Sequence, residues 1–418
     1  MLEVVTGNRY MDAKIDTPAI LCRAEELLTV VFRAPIHLEI REQFESSHTV
    51  LRCAVQSEAA SAILPPTVIV KRRNFNLPTD PNNFDQSILF SNEWAALDFL
   101  SSLSGATSPG PRLYTSDRQK GLVVLEDLGS MQSVQDALYS ADPQAAIDAL
   151  VGIGKTLGQI QRQAIGREAE FVSYQTILEA STTLSDSSRD CRNDIAALHA
   201  CMAALGIQVS ERFDSAIDGL ERAIHGPGAL RTFVHHDAGP HNFMITVSGI
   251  KLLDYEFAGY ANGFLDIVCA RLAFPPAFRG RVLPPEIVRR VEEQYRLELA
   301  EQVPILNDGE GFMQAISQAS AHWAFSKLLG FWDYLEERLV EGEARDTRGG
   351  RPPERAAFLR MQVFTYLRLA LTSLEEQDRL PELRLALSQI VDKLMGIWPE
   401  TPLLSSYPAF GGEVWHYP

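Results

Sequence analysis

The residues best suited to chemistry lie on one stretch in the second half of the chain. His235-x-Asp237 is followed by Asn242, five residues after the aspartate. The run Leu252-Leu-Asp-Tyr-Glu256 then places Asp254 a further twelve residues along. Phosphoryl transfer to a hydroxyl group needs a carboxylate near the acceptor proton and hard oxygen ligands that hold Mg²⁺ against the phosphates. An aspartate and an asparagine on a loop, followed by an aspartate on a hairpin, would supply these groups at one point.

This pattern resembles the catalytic and metal-binding signature of the protein-kinase fold, and its Leu-Asp-Tyr-Glu variant resembles the aminoglycoside phosphotransferase and choline kinase family. The stretch Gly259-Tyr-Ala-Asn-Gly-Phe-Leu-Asp-Ile267 is similar to a glycine-to-aspartate stretch of the same family. The resemblance implies that Asp237 is the catalytic base or orients the acceptor, and that Asn242 and Asp254 bind Mg²⁺. The alternative is an ordinary turn, because aspartate, proline and asparagine also favour turns.

Other residues of the same loop differ from the family pattern or have supporting roles in it. The resemblance implies that His235 and Asp266 support the loop and take no chemical part. His236 stands where the family motif has glycine, and Ala238-Gly239 stand where it has leucine and histidine. Because these differences flank Asp237, they predict either an altered choice of acceptor or a weak or inactive enzyme.

The upstream part of the chain contains candidates for nucleotide binding. Thr67-Val-Ile-Val-Lys71 has the β-branched composition of a strand. Lys71 resembles the family's strand lysine that reaches the α- and β-phosphates, and Glu93 on the next helix would pair with it. The resemblance also implies a hinge in which backbone atoms of Glu126 and Leu128 bind adenine. Solvated charges at the ends of elements are the alternative for the lysine and the glutamate.

A loop that covers the phosphates is expected between the first two candidate strands, at Glu45-Ser-Ser-His-Thr49. It contains no glycine, as in some members of the family. The resemblance implies that Ser46 and Ser47 donate hydrogen bonds to phosphate, together with His48. A plain hairpin turn is the alternative.

The periodicity of the whole chain predicts an α+β protein. Strand patterns dominate the first 125 residues, whereas helical spacing dominates from about Ser133 onward, apart from short strands between Phe243 and Phe257. With the resemblance, this predicts a bilobal protein-kinase-like fold with a small β-rich N-lobe and a larger, mainly helical C-lobe. The expected boundary separates residues 1–125, the nucleotide-binding lobe, from residues 126–418, the catalytic and acceptor-binding lobe.

Three other patterns in the sequence could indicate a different function or a binding site. Gly152-Ile-Gly-Lys-Thr156 lacks the remaining glycines of a P-loop or a dinucleotide-binding motif, and its apolar spacing predicts a packed helix.

His236-Asp237, with His199 and His225 upstream, could belong to an HD-type metal phosphohydrolase, but the neighbouring strand patterns argue against an all-helical site. The aromatic residues of the C-terminal part could line an acceptor site or form a core, and core packing is the simpler interpretation. These residues are Trp323, Phe325, Phe331, Trp332 and Tyr334.

The composition of the chain limits the binding partners and the cellular compartment that we expect. A formal net charge of -16 disfavours nonspecific binding to nucleic acid and makes a cationic acceptor one candidate. The five cysteines are odd in number and scattered, which favours a reducing compartment. No apolar run approaches the roughly 20 residues of a membrane helix, and no signal peptide is visible, so we expect a cytoplasmic protein.

The prediction is an ATP- and Mg²⁺-dependent kinase for a small-molecule hydroxyl acceptor, such as an aminoglycoside, amino sugar, sugar or amino alcohol. A nucleotide-binding pseudokinase is the alternative.

Overall fold

The computed structural model describes residues 17–44, 48–58, 64–75, 85–104, 108–129, 132–178, 191–275, 277, 280–341, 353–376 and 378–412. Contacts divide the chain into two compact units. The first comprises Met1–Phe90 and Pro111–Asp127, and the second comprises Ser91–Gly110 and Leu128–Pro418. No helix in the described ranges is both long enough and apolar enough to cross a membrane.

The first unit is an antiparallel five-stranded sheet with a helix packed on it. Its strand order is β1-β2-β3-β5-β4. Alternating residues point into the core, so Leu51, Cys53, Val68 and Val70 are buried while their neighbours are more exposed. The elements are α1 (Thr17–Phe32), β1 (His37–Phe44), β2 (Thr49–Gln56), β3 (Thr67–Arg72), β4 (Leu113–Asp117) and β5 (Leu122–Glu126).

Helix α1 was not expected from the sequence. Its buried residues Ile20, Ala24 and Leu28 recur at every fourth position and join the core of the sheet. This spacing is the ordinary signal of an amphipathic helix.

The second unit is mainly helical, with two short antiparallel strand pairs, β6 with β9 and β7 with β8. Together with the β-rich first unit, it confirms the predicted α+β class. Its helices are α2 (Gln86–Ser104, whose first five residues group with the first unit), α3 (Val134–Leu138), α4 (Pro143–Ala164), α5 (Glu168–Ile177), α6 (Ile195–Ala204), α7 (Glu211–His225), α8 (Phe264–Arg271), α9 (Pro285–Leu299), α10 (Gly309–Glu341), α11 (Pro353–Glu375) and α12 (Pro381–Ile397). Its strands are β6 (Arg231–Val234), β7 (Phe243–Thr246), β8 (Gly249–Leu252) and β9 (Gly259–Asn262).

Core packing also accounts for the aromatic residues of α10 that the structure describes. Trp323, Phe325 and Trp332 are buried. The indole Nε1 of Trp323 donates a hydrogen bond to the carbonyl oxygen of Leu265 on α8, at 2.9 Å. Phe331 is half-buried, and the side chain of Tyr334 lies outside the described residues.

The glycines of the P-loop-like segment lie inside α4, as the helical spacing predicts. A Cβ atom at Gly154 would lie 2.3 Å from the backbone oxygen of Val291 on α9, and one at Gly158 would lie 2.6 Å from Cβ of Glu298. The glycines therefore allow α4 and α9 to approach closely, and they do not form a phosphate-binding loop.

We expect Gly154→Ala to lower the free energy of unfolding. The new methyl group meets the backbone of α9, and such overpacking costs about 1–3 kcal/mol, more than the roughly 1 kcal/mol gained from helix propensity. Urea unfolding of the purified protein measures the change. Gly219→Ala on α7 is the matched control, since the nearest atom is 3.9 Å away, and it should be neutral or stabilising. Equal effects of the two substitutions would contradict the packing argument.

Candidate active site

The loop after β6 is held by the carboxylate of Asp266, in the first turn of α8. Its Oδ2 accepts a hydrogen bond from the backbone N–H of His235 at 2.8 Å, and its Oδ1 accepts one from His236 at 3.0 Å. Asp266 and both histidines are buried. Two N–H groups that burial would otherwise leave unpaired are thus satisfied by one side chain, which fixes the direction of the loop as it leaves β6.

His235 joins this loop to the turn that carries Asp254. Burial lowers the pKa of His235 to about 4, so its ring is neutral and has one donor and one acceptor nitrogen. Nδ1 accepts a hydrogen bond from the backbone N–H of Asp237 at 3.2 Å, which leaves Nε2 to donate to the carbonyl oxygen of Leu253 at 2.7 Å. The ring therefore supports the loop, as expected.

Asp237 and Asn242 are hydrogen-bonded to each other. The side-chain nitrogen of Asn242 donates to the backbone oxygen of Asp237 at 2.9 Å and to its carboxylate Oδ2 at 3.0 Å. Burial raises the pKa of Asp237 to about 8, and the negative charge of Asp254 contributes to the rise. Asn242 therefore contacts the predicted base directly, and Asp254 acts on that base through its charge.

A group of carboxylates surrounds the second predicted metal ligand. Carboxylate oxygens of Glu93, Asp254 and Glu256 lie within 4.8 Å of one another. The side chain of Asn92, the residue before Glu93, donates hydrogen bonds to the backbone oxygens of Glu256 and Ala258, both at 2.9 Å. This contact holds α2 against the turn that carries the two other acids.

The donor set fits Mg²⁺. Three carboxylates so close repel one another unless a cation or protons offset their charge, and oxygen atoms are the ligands that Mg²⁺ prefers. Because the side-chain nitrogen of Asn242 is used by Asp237, its amide oxygen is the atom left for a metal. The sequence motifs predict no role for Glu256, and for Glu93 they predict only a pairing with Lys71. The two-residue spacing between Asp254 and Glu256 was the available signal.

The remaining predicted nucleotide-binding residues are placed as follows. Lys71 is half-buried on β3, between Val50 of β2 and Val123 of β5. It belongs to the first unit and Glu93 to the second, and their pairing stays a prediction.

The predicted hinge follows β5. Glu126 is the last residue of the strand, and its backbone N–H donates to the carbonyl oxygen of Arg112 at 2.8 Å. Leu128 is half-buried and is where the chain enters the second unit. Ser46 and Ser47 lie outside the described residues. The roles of all four in nucleotide binding stay predictions.

The histidines of the phosphohydrolase hypothesis do not come together. His199 pairs with Asp214, with Nε2 and Oδ1 2.7 Å apart, and His225 lies 3.3 Å from Glu221. Within the described ranges, neither group of potential metal ligands contains a histidine of the loop after β6.

The backbone at His236 explains why the family motif has glycine there. Its φ angle is +64°, in the left-handed region that glycine adopts without a steric cost. A side chain with a Cβ atom at this position is strained by about 1–2 kcal/mol. The substitution in this chain therefore keeps the glycine-like backbone and adds strain directly before Asp237.

Comparing two substitutions of His236 isolates this strain. Both His236→Gly and His236→Ala remove the imidazole, but only alanine retains a Cβ atom at positive φ. We expect the glycine variant to be more stable than the alanine variant by about 1 kcal/mol, measured by urea unfolding. Ala238→Gly should lower the free energy of unfolding, because Ala238 is not among the residues with positive φ and gains nothing from glycine. An alanine variant as stable as the glycine variant would refute the strain.

Comparison with known proteins yields one family. The model of the phosphotransferase enzyme family (APH) matches residues 76–300, more than half of the chain. The matched range includes the loop after β6, the three clustered carboxylates and the predicted hinge, but not Lys71. No curated protein matches the chain significantly.

Several solved structures are similar to the chain at low identity. A choline kinase from Cryptosporidium parvum shares 13% identity, with 84% of this chain and 93% of that chain covered and a TM-score of 0.48. A putative aminoglycoside phosphotransferase from Ralstonia eutropha shares 14%, with 88% and 98% covered and a TM-score of 0.43. A macrolide 2'-phosphotransferase from Brachybacterium faecium shares 12%, with 78% and 100% covered and a TM-score of 0.42. All three scores are below 0.5, and we draw no conclusion from these likenesses.

Proposed function

Because this chain belongs to the phosphotransferase enzyme family, we propose that it is an ATP- and Mg²⁺-dependent kinase that phosphorylates a hydroxyl group of a small molecule. The observation that carries the proposal is the hydrogen-bonded pair of Asp237 and Asn242, together with the influence of the Asp254 charge on Asp237. A base and two oxygen ligands so arranged are the groups that phosphoryl transfer to a hydroxyl requires.

In the proposed reaction, the acceptor oxygen forms a bond to the γ-phosphorus of ATP. The bond from that phosphorus to the bridging oxygen breaks, ADP leaves, and the hydroxyl proton passes to the carboxylate of Asp237. The hydrogen bonds from Asn242 hold this carboxylate in one orientation. Lys71 would bind the α- and β-phosphates, and Ser46 and Ser47 would donate hydrogen bonds to phosphate. Backbone atoms of Glu126 and Leu128 would bind adenine.

Oxygen atoms of Asn242 and Asp254 would hold Mg²⁺, with Glu93 and Glu256 close enough to contribute directly or through water. When bound, the ion would neutralise phosphate charge and help to orient the γ-phosphate. Its positive charge would also offset the effect of Asp254 on the pKa of Asp237.

The class of acceptor can be tested by comparing alcohols that carry different charges. Besides the acids at positions 254 and 256, which raise the pKa of Asp237, the positive charge of Lys327 lowers it. Its ammonium group lies 4.9 Å from the ring centroid of Trp323, and the residue is buried. Both signs of charge therefore act near the base, and the acceptor panel should include cationic, neutral and anionic alcohols.

We expect Asp237→Asn to lower acceptor-dependent ATP consumption by a factor of about 10²–10⁴, because the group that takes the acceptor proton is lost. ATP binding, followed by thermal shift, should persist. Asp214→Asn, at the exposed pair with His199, is the matched control and should retain wild-type turnover.

Three outcomes separate the hypotheses. Turnover that survives in the Asp237 variant would remove this residue from the reaction. Nucleotide binding without turnover on any member of the panel would favour the pseudokinase. A wild-type protein that binds no ATP would refute the kinase proposal.

We expect Glu256→Gln to raise the Mg²⁺ concentration needed for half-maximal turnover by about tenfold or more, as removal of a supporting ligand does. Turnover at saturating Mg²⁺ should fall less. Glu310→Gln, whose side chain is 82% exposed, is the control and should leave the Mg²⁺ dependence unchanged. An unchanged Mg²⁺ requirement in the Glu256 variant would show that this carboxylate does not support the ion.

A further inference from the structure

The second unit contains another cluster of metal-binding side chains, which shares no residue with the proposed active site. Ligand atoms of Cys191, Glu221 and His322 lie within 4.8 Å of one another, and all three residues are buried. No sequence motif groups these three residues.

The cluster joins segments that are far apart in the sequence. Cys191 precedes α6, Glu221 is on α7, and His322 is in the middle of α10. His225, one helical turn after Glu221, faces the same cluster, with its ring centroid 5.3 Å from that of His322. Only 20% of the His225 side chain is exposed.

The distances inside the cluster suit a shared cation. His322 Nδ1 is hydrogen-bonded to one carboxylate oxygen of Glu221 at 3.0 Å, a contact that bound zinc would replace, whereas His225 Nε2 lies 3.3 Å from the other oxygen. The second contact lacks hydrogen-bond geometry, so Oε2 of Glu221 and Nε2 of His225 are buried without a hydrogen-bond partner. Zinc–ligand bonds of about 2.0–2.2 Å place neighbouring nitrogen and oxygen ligands of a tetrahedral site about 3.3–3.6 Å apart. An ion ligated by both atoms would satisfy them at nearly the separation observed.

The chemistry of the donors selects the ion. Sulfur, imidazole nitrogen and carboxylate oxygen together suit Zn²⁺, whereas Mg²⁺ and Ca²⁺ prefer oxygen alone. All three ligands are buried, as is usual for a structural zinc site, whereas a catalytic site keeps a coordination position open to water or substrate. We propose that Cys191, Glu221 and His322 bind a structural Zn²⁺ that ties α7 and α10 to the segment before α6, and that His225, which contacts Glu221, moves closer to complete the coordination shell.

This inference does not depend on the proposed phosphotransfer, and its test does not measure activity. The full chain, purified without chelator, should contain about one zinc ion per molecule by mass spectrometry of metals. Cys191→Ala should lose at least tenfold in zinc affinity. Two controls should retain the ion: Cys269→Ala, which removes another buried cysteine of the same unit, and Asp254→Asn, which alters the proposed Mg²⁺ site.

Cobalt provides a measurement that does not require a folded variant. Wild-type protein stripped of zinc and titrated with Co²⁺ should develop a thiolate-to-cobalt charge-transfer band and the visible bands of tetrahedral cobalt. Wild-type protein that contains no zinc and develops no such bands would overturn the proposal, leaving a metal-free network of Glu221 and the two histidines. Full retention of zinc by a folded Cys191→Ala variant would equally overturn it.

Discussion

The proposed active site depends on one interaction: the carboxylate of Asp266 accepts two backbone hydrogen bonds. This carboxylate is buried and ties the N–H groups of His235 and His236 to the start of α8. The loop therefore leaves β6 in one direction only, and Asp237 follows directly. His235 repeats the arrangement one step further, since its ring joins the N–H of Asp237 to the carbonyl oxygen of Leu253. Neither residue has to touch a substrate to determine where Asp237 lies.

The energy stored in this loop has a structural explanation. His236 and Asp254 both have positive φ angles, of 64° and 66°, which cost non-glycine residues of order 1–3 kcal/mol each. Such backbone geometry persists only where the surrounding structure enforces it. At His236 the hydrogen bonds from the backbone to Asp266 enforce it. The family motif avoids the first of these costs with glycine. This chain keeps the geometry although it lacks the glycine, which indicates that the position of Asp237 constrains the backbone more strongly than the identity of residue 236.

The parts of the molecule that could be predicted are those with a local signal. The order of Asp237, Asn242 and Asp254 along the chain, and the period of the helical part, needed no knowledge of long-range contacts. The close approach of α4 and α9 at Gly154 was different, because the sequence predicted the helix but not the neighbour that requires glycine. The carboxylates of Glu93 and Glu256 meet only after α2 packs against the turn of Asp254. No sequence spacing encodes that contact, since more than 150 residues separate Asn92 from the backbone oxygens that it binds.

The same physical rule underlies both clusters of ionisable groups in the second unit. A charge removed from water needs a counter-charge or several hydrogen bonds. At Asp254 the excess is negative and the donors are oxygen, which suits an ion that must also meet phosphate. At Glu221 a single carboxylate lies near two imidazoles and a thiol, and Cys191, Glu221 and His322 are all buried. The proposed active site would need access for a nucleotide, whereas the proposed zinc site would gain from having none, because a closed coordination shell exchanges its ion slowly and can hold helices together. Donor atoms and burial thus distinguish the proposed site of phosphoryl transfer from the proposed structural zinc site.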